Sequence, residues 1–97
     1  MIEIPFLPEA EEEFLEWVDR YEGEVRGLGG EFIEEVERAL ERIATFPEHG
    51  SPHLVNTRRV VLQRFPFSVV YDILPEGALV VAVAHHRRRP GYWRERI

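Results

Sequence analysis

The sequence predicts a two-layer α+β domain. An N-terminal edge strand leads into an antiparallel helical hairpin, which packs on one face of a four-stranded, mainly antiparallel sheet, in the order β-α-α-β-β-β. Three observations predict it. Apolar residues recur at spacings of three and four up to Phe46, the period of a helix face. Beyond Phe46 the period shortens to the two of a strand. The segments of that second half are joined by short connections, which make antiparallel neighbours. A length of 97 residues suits one domain spanning 1–97 with one core.

Ile2–Phe6 reads as the edge strand, where Pro5 is tolerated because an edge has no ladder bond to lose. Pro8 suits the first turn of a helix, and the carboxylates Glu9, Glu11, Glu12 and Glu13 complement its dipole. Ala10, Phe14, Trp17, Val18, Tyr21 and Val25 form its apolar stripe, with Leu15 outside it. Gly27-Leu28-Gly29-Gly30 breaks the pattern as a turn, and Phe32, Val36, Ala39, Leu40, Ile43 and Phe46 make a second stripe that Pro47 closes. Pro47–Pro52 reads as a loop, and Arg58–Arg64, Phe67–Leu74 and Leu79–His86 as strands. In the last strand Leu79, Val81 and Val83 are expected to face the helices, with Val80, Ala82, Ala84 and His86 on a thinly covered open face. The expected core comprises Phe14, Trp17, Val36, Leu40, Val69, Tyr71, Val81 and Val83.

The composition excludes several classes. Cysteine is absent, so there is no disulfide framework and no cysteine nucleophile. The longest apolar run, Ala78–Ala84, falls far short of the ~20 residues that span a bilayer. The start lacks the basic and apolar regions of a signal peptide, and a cytoplasmic location with no membrane partner is expected. His49 and His53 stand four apart in a Pro/Gly loop with no carboxylate cluster beside them, so neither a metal nor a cofactor is expected. The net charge of −6 conceals an asymmetry: residues 1–48 carry −11 and residues 49–97 carry +5. All twelve basic residues are arginine, whose planar fork grips phosphate and carboxylate.

Chemistry concentrates in His85-His86-Arg87-Arg88-Arg89-Pro90-Gly91-Tyr92-Trp93-Arg94, which leaves the last strand toward the open face. Arg58, Arg59 and Arg64 lie on the adjoining strand. Arginine forks, a histidine that moves protons near neutral pH and rings that stack on bases would suit single-stranded RNA. The same residues have a plainer use, in which Tyr92 and Trp93 cover the thin face made by Val61, Val70, Ala82 and Ala84.

Across its whole length the chain resembles the RelE/ParE superfamily of toxins from type II toxin–antitoxin systems. The resemblance is carried by Ala10, Tyr21, Leu28-Gly29, Phe32, Pro47, Arg59, the run Arg64-Phe65-Pro66-Phe67-Ser68-Val69-Val70-Tyr71 and the run Ala84–Trp93. It implies a growth-inhibiting toxin neutralised by a cognate antitoxin protein in a toxin–antitoxin hetero-oligomer. RelE-like members are ribosome-dependent mRNA endonucleases; ParE-like members poison DNA gyrase. As a nuclease the chain would use Arg59 and Arg87 on the phosphate, His86 for proton transfer and Tyr92 or Trp93 as a stacking ring. As a binder it would grip its target with Arg58, Arg59, Arg64, Arg87, Arg88, Arg89 and Trp93. Ser68 and Val61 stand where RelE-like toxins carry basic residues, which favours the gyrase-type reading over metal-independent cleavage of mRNA on the ribosome.

Overall fold

The computed structural model describes residues 4–97. Helix α1 (Pro8–Glu24) and helix α2 (Leu28–Thr45) form the hairpin. Strands β1 (Ser51–Pro52), β2 (Arg58–Val61), β3 (Phe67–Leu74) and β4 (Gly77–His85) follow, each antiparallel to the next, in a sheet of that order. Single 3-10 turns lie at Leu54–Asn56 and Arg94–Arg96.

Helix α1 begins with Pro8 in its first turn, where a missing N–H costs nothing, and carries Glu9 and Glu11 there. The expected turn at 27–30 is shorter in the structure. The connection falls at Val25–Gly27, with Val25 extended and Gly27 at φ 89°, and Gly29 and Gly30 already belong to α2. Gly29 lets the helices approach: a Cβ there would lie 2.7 Å from the carbonyl oxygen of Val18. Gly27 has no side chain to cap α2, so Glu22 reaches across from α1 and accepts the N–H groups of Gly27 and Gly29 at 2.9 and 3.1 Å.

Three strand expectations are corrected. The fourth strand of the sheet is β1, inside the expected loop, where Ser51 and Pro52 pair with Arg59 and Arg58. The expected N-terminal strand lies partly outside the described residues. Its described end makes one parallel bridge, Phe6 to Val80, with hydrogen bonds from Leu7 N–H to Val80 and from Val80 N–H to Pro5, both 2.9 Å. Proline has no N–H to extend that ladder, and the chain turns into α1 at Pro8. Strand β2 stops at Val61, short of Arg64.

The alternation along β4 is also corrected. Val70 pairs with Ala82 but Tyr71 pairs with Val80, so Val81 is an unopposed bulge residue. One extra residue reverses which side chains face the helices. Ala78 and Val80 therefore join the helix-side core with Val83, while Val81 joins Val70, Ala82 and Trp93 on the other face. On β3 the expected alternation holds: Phe67, Val69 and Tyr71 face the helices and Val70 does not, although Ile73 is exposed. The helix-side core centres on Phe32, Val36, Ala39, Ile43, Phe67, Val69 and Tyr71. Phe14, Trp17 and Leu40 pack against it half-buried.

Candidate functional site

The open face is not bare. Past β4 the chain turns back, and Trp93 drops onto Val70, Val81 and Ala82, leaving only 1% of its own surface exposed. The thin apolar face foreseen in the sequence is thus covered by the chain itself. Trp93 is a packing residue in this structure, without the exposed ring a target-binding or stacking role requires.

This cover is latched by a residue the sequence reading passed over. Glu13, on α1, accepts hydrogen bonds from the Tyr92 hydroxyl at 2.6 Å and from both terminal nitrogens of Arg96 at 2.9 and 2.7 Å. It also accepts the Val83 N–H at 3.2 Å, and Arg96 donates to the Val81 carbonyl at 3.1 Å. Both partners of the ion pair keep only 15% of their side-chain surface exposed, so the bidentate pair is well shielded. Burial first, then the bond to Glu13, pushes the Tyr92 phenol far above its ordinary range. The signal for Glu13 was present in the spacing: it stands three after Ala10 and four before Trp17, at the margin of the apolar stripe.

Beside Trp93 lies a groove of about 330 Å³. Its walls come from four places: Arg59 and Val61 on β2, Ser68 on β3, Ala84 at the end of β4, and the turn carrying His86, Arg88, Arg89 and Pro90. His53, from the loop after β1, closes one side and contacts the Trp93 ring at 5.8 Å between centroids. On the groove wall the Ser68 hydroxyl and His86 Nε2 are hydrogen-bonded at 3.0 Å. Burial, then the nearby Arg59 guanidinium, lowers the His53 pKa. Arg88 lies over the Tyr92 ring at 3.8 Å and lines this groove along one side.

The remaining foreseen residues lie outside this groove, except His85, which borders both it and the helix side. Arg87 lines a second groove on the helix side, with Glu16, Trp17 and Arg20, and not the one that holds Arg59. Arg58 donates to the carbonyls of Gly50 and Glu48 at 2.7 and 3.2 Å. Arg64 pairs with Glu31 beside the helices, and its guanidinium lies 5.7 Å from the Phe65 ring centroid. His85 stacks on Trp17 and abuts Phe67, both 4.9 Å between centroids, and accepts the Arg87 N–H on Nδ1 at 3.0 Å. Burial, then the charges of Arg87 and its neighbours, lowers the His85 pKa. Among the described residues there is no carboxylate and histidine cluster that could hold a metal ion. Among the described residues no helix is long and apolar enough to cross a membrane.

A single sheet with a helical hairpin on one face and an arginine-lined groove on the other makes this a small two-layer α+β domain, and comparison with known proteins makes the class specific. The family model for the ParE toxin of the type II toxin–antitoxin system parDE matches residues 4–90, and the chain belongs to that family. It is accordingly the toxin component of a type II toxin–antitoxin system, of the ParE rather than the RelE type. Among solved structures it is similar to a chain of the chromosomal ParDE toxin–antitoxin system from P. aeruginosa, with a TM-score of 0.71 and 13% identity. That match covers 88% of this chain and 96% of the other, and at such identity it shows the shared fold. No curated protein sequence matches the chain.

Proposed function

We propose that the chain inhibits growth by gripping a protein target of the DNA gyrase type, and that a cognate antitoxin neutralises it in a hetero-oligomer. The ParE family match over residues 4–90 carries this reading. The placement of the nuclease-pattern residues supports it. RNA cleavage needs a general base, a cation at the phosphorane and an acid for the leaving oxygen, with rings to seat the bases. Here the Tyr92 hydroxyl is engaged by Glu13, Trp93 is buried, and Arg87 lies in a different groove from Arg59. Of that set Arg59, His86, Tyr92 and Trp93 border one groove, where Arg88 and Arg89 join them, but Arg87 is absent from it and neither ring is free to seat a base.

Inducible expression with separate readouts of DNA supercoiling and mRNA integrity tests this proposal. Growth arrest with gyrase inhibited and transcripts intact is the expected outcome. Arrest with cleaved transcripts and normal supercoiling would return the chain to the RelE-like mechanism. The histidine separates the two again: His86→Gln would cost an RNase on the order of 10²–10⁴ in rate, but a binder only a modest part of its affinity. Coexpression of the adjacent antitoxin gene product should restore growth and yield a complex at low salt. Failure to form one would remove the pairing.

A further inference from the structure

Resting on the protein-target reading, we propose that the open-face groove is a carboxylate-reading site that seats an extended acidic segment of the target. Arg59 and Arg89 would serve as the forks and the Ser68–His86 pair as the hydrogen-bonding wall.

Charge availability is the first argument. Among the described residues Arg64 and Arg96 are committed to Glu31 and Glu13, while no carboxylate lies within ion-pair distance of Arg59, Arg88 or Arg89. Three unpaired guanidinium groups in one concave site are an anion receptor in search of charge. The walls give the second argument. Val61, 49% exposed, together with Ala84 and Pro90 offers apolar contact between the charges, which matches the short aliphatic stems of an Asp- or Glu-bearing strand.

Two further observations favour carboxylate over nucleic-acid phosphate. A single-stranded nucleic acid needs exposed rings on which to stack its bases. The two aromatic residues beside this groove cannot provide them, since Trp93 is 1% exposed and the guanidinium of Arg88 lies over the Tyr92 ring at 3.8 Å. Long polyanions also feel the whole molecule, whose net charge is −6. A short acidic segment held within the ~10 Å Debye length of the groove feels mainly its arginines.

The test titrates the full chain with a labelled peptide of alternating aspartate and alanine, and in parallel with an oligouridylate of equal charge. The peptide is expected to bind, and the oligouridylate about tenfold more weakly. Arg59→Gln and Arg89→Gln should each weaken the peptide about tenfold, with Arg59→Lys recovering part of the loss and Arg38→Gln, on the exposed face of α2, changing nothing. An oligouridylate that binds as tightly as the peptide, or a peptide that ignores both arginine substitutions or fails to bind, overturns the assignment. So does self-association of the chain that Arg59→Gln abolishes, because the groove would then belong to a second copy. The same variants in the gyrase assay keep the two proposals apart. Gyrase inhibition undiminished by Arg59→Gln and Arg89→Gln removes the groove assignment and leaves the protein-target reading standing. Peptide binding through these arginines without gyrase inhibition removes the target reading alone.

Discussion

The two faces of the sheet are closed in different ways. On the helix side, closure is apolar and redundant. Phe32 has four aromatic neighbours, Phe14, Tyr21, Phe65 and Phe67, all with ring centroids between 4.9 and 5.8 Å away. On the open side a single large ring, Trp93, covers three small residues, and a polar latch at Glu13 holds the covering segment down. The first kind of closure is expected to fail only when the whole domain unfolds. The second is expected to open by itself, because losing one carboxylate frees both Tyr92 and Arg96. The candidate groove is built from the second kind, so its shape depends on a few directional bonds rather than on bulk burial.

The largest effect should come from the helix side. Phe32→Ala empties the centre of the aromatic cluster and should cost about 4–5 kcal/mol, lowering the urea midpoint of the entire domain. Trp93→Ala removes a side chain of larger volume that is just as buried, yet the loss should be nearer about 3 kcal/mol because the terminal segment can lift away or settle. Hydrogen exchange sharpens the contrast. Residues after His85 should lose protection in Trp93→Ala while β3 keeps its own. Equal loss in both regions would mean that the two faces form one cooperative unit.

Glu13→Ala should cost about 2 kcal/mol, below the range for a fully buried pair because each partner retains some exposure. Its exchange pattern should match that of Trp93→Ala. Glu13→Gln, which keeps an acceptor for Tyr92 but loses the charge opposite Arg96, should fall between Glu13→Ala and the native chain.

Titration distinguishes the latch phenol from the strand-end imidazole by sign. The Tyr92 pKa is raised in the folded state, so its contribution is complete below the ordinary phenol value of 10.0 and declines as pH rises beyond it. Melting temperature should therefore fall in alkali, and less steeply in Tyr92→Phe, with Tyr21 and Tyr71 leaving a residual slope because burial raises their pKa values too. The His85 pKa is lowered in the folded state, so its contribution is complete above 6.5 and declines as pH falls through that value. His85→Phe should flatten the mildly acidic limb, and an unchanged limb would assign it to His53, which is shifted the same way. The smallest effect belongs to the exposed pair of Arg64 and Glu31, where Glu31→Gln should leave the melting temperature unchanged within error.

Much of this could be read from residue order alone. The spacing of three and four through Phe14 and Trp17, and again through Val36 and Ile43, specified both helices, because a helix meets its core once per turn. Phe67–Leu74 was legible to the residue, since alternation and flanking proline or turn residues are local signals. The concentration of arginine beyond a buried strand was visible as well, in three consecutive residues. His85 has the strand parity of the helix-side Val83, and it packs between Trp17 and Phe67.

What stayed hidden was the detailed pairing between distant segments. The bulge at Val81 depends on how β4 pairs with β3, and nothing in Leu79–Val83 announces which residue will go unopposed. Strand β1 exists only because Ser51 and Pro52 happen to lie against Arg59 and Arg58. Glu13 and Tyr92 are 79 positions apart and look, in sequence, like one more helix carboxylate and one more C-terminal ring. Which arginine enters the groove was decided the same way: β4 ends between two faces, so Arg87 lines the helix-side groove, Arg89 the open one, and Arg88 borders both. Periodicity thus determined the elements and which faces would be apolar, because those depend on neighbours a few residues away. Register, the latch and the groove were decided by the tertiary structure, because hydrogen bonds and ion pairs form between whichever groups the packed helices and strands bring within about 3 Å.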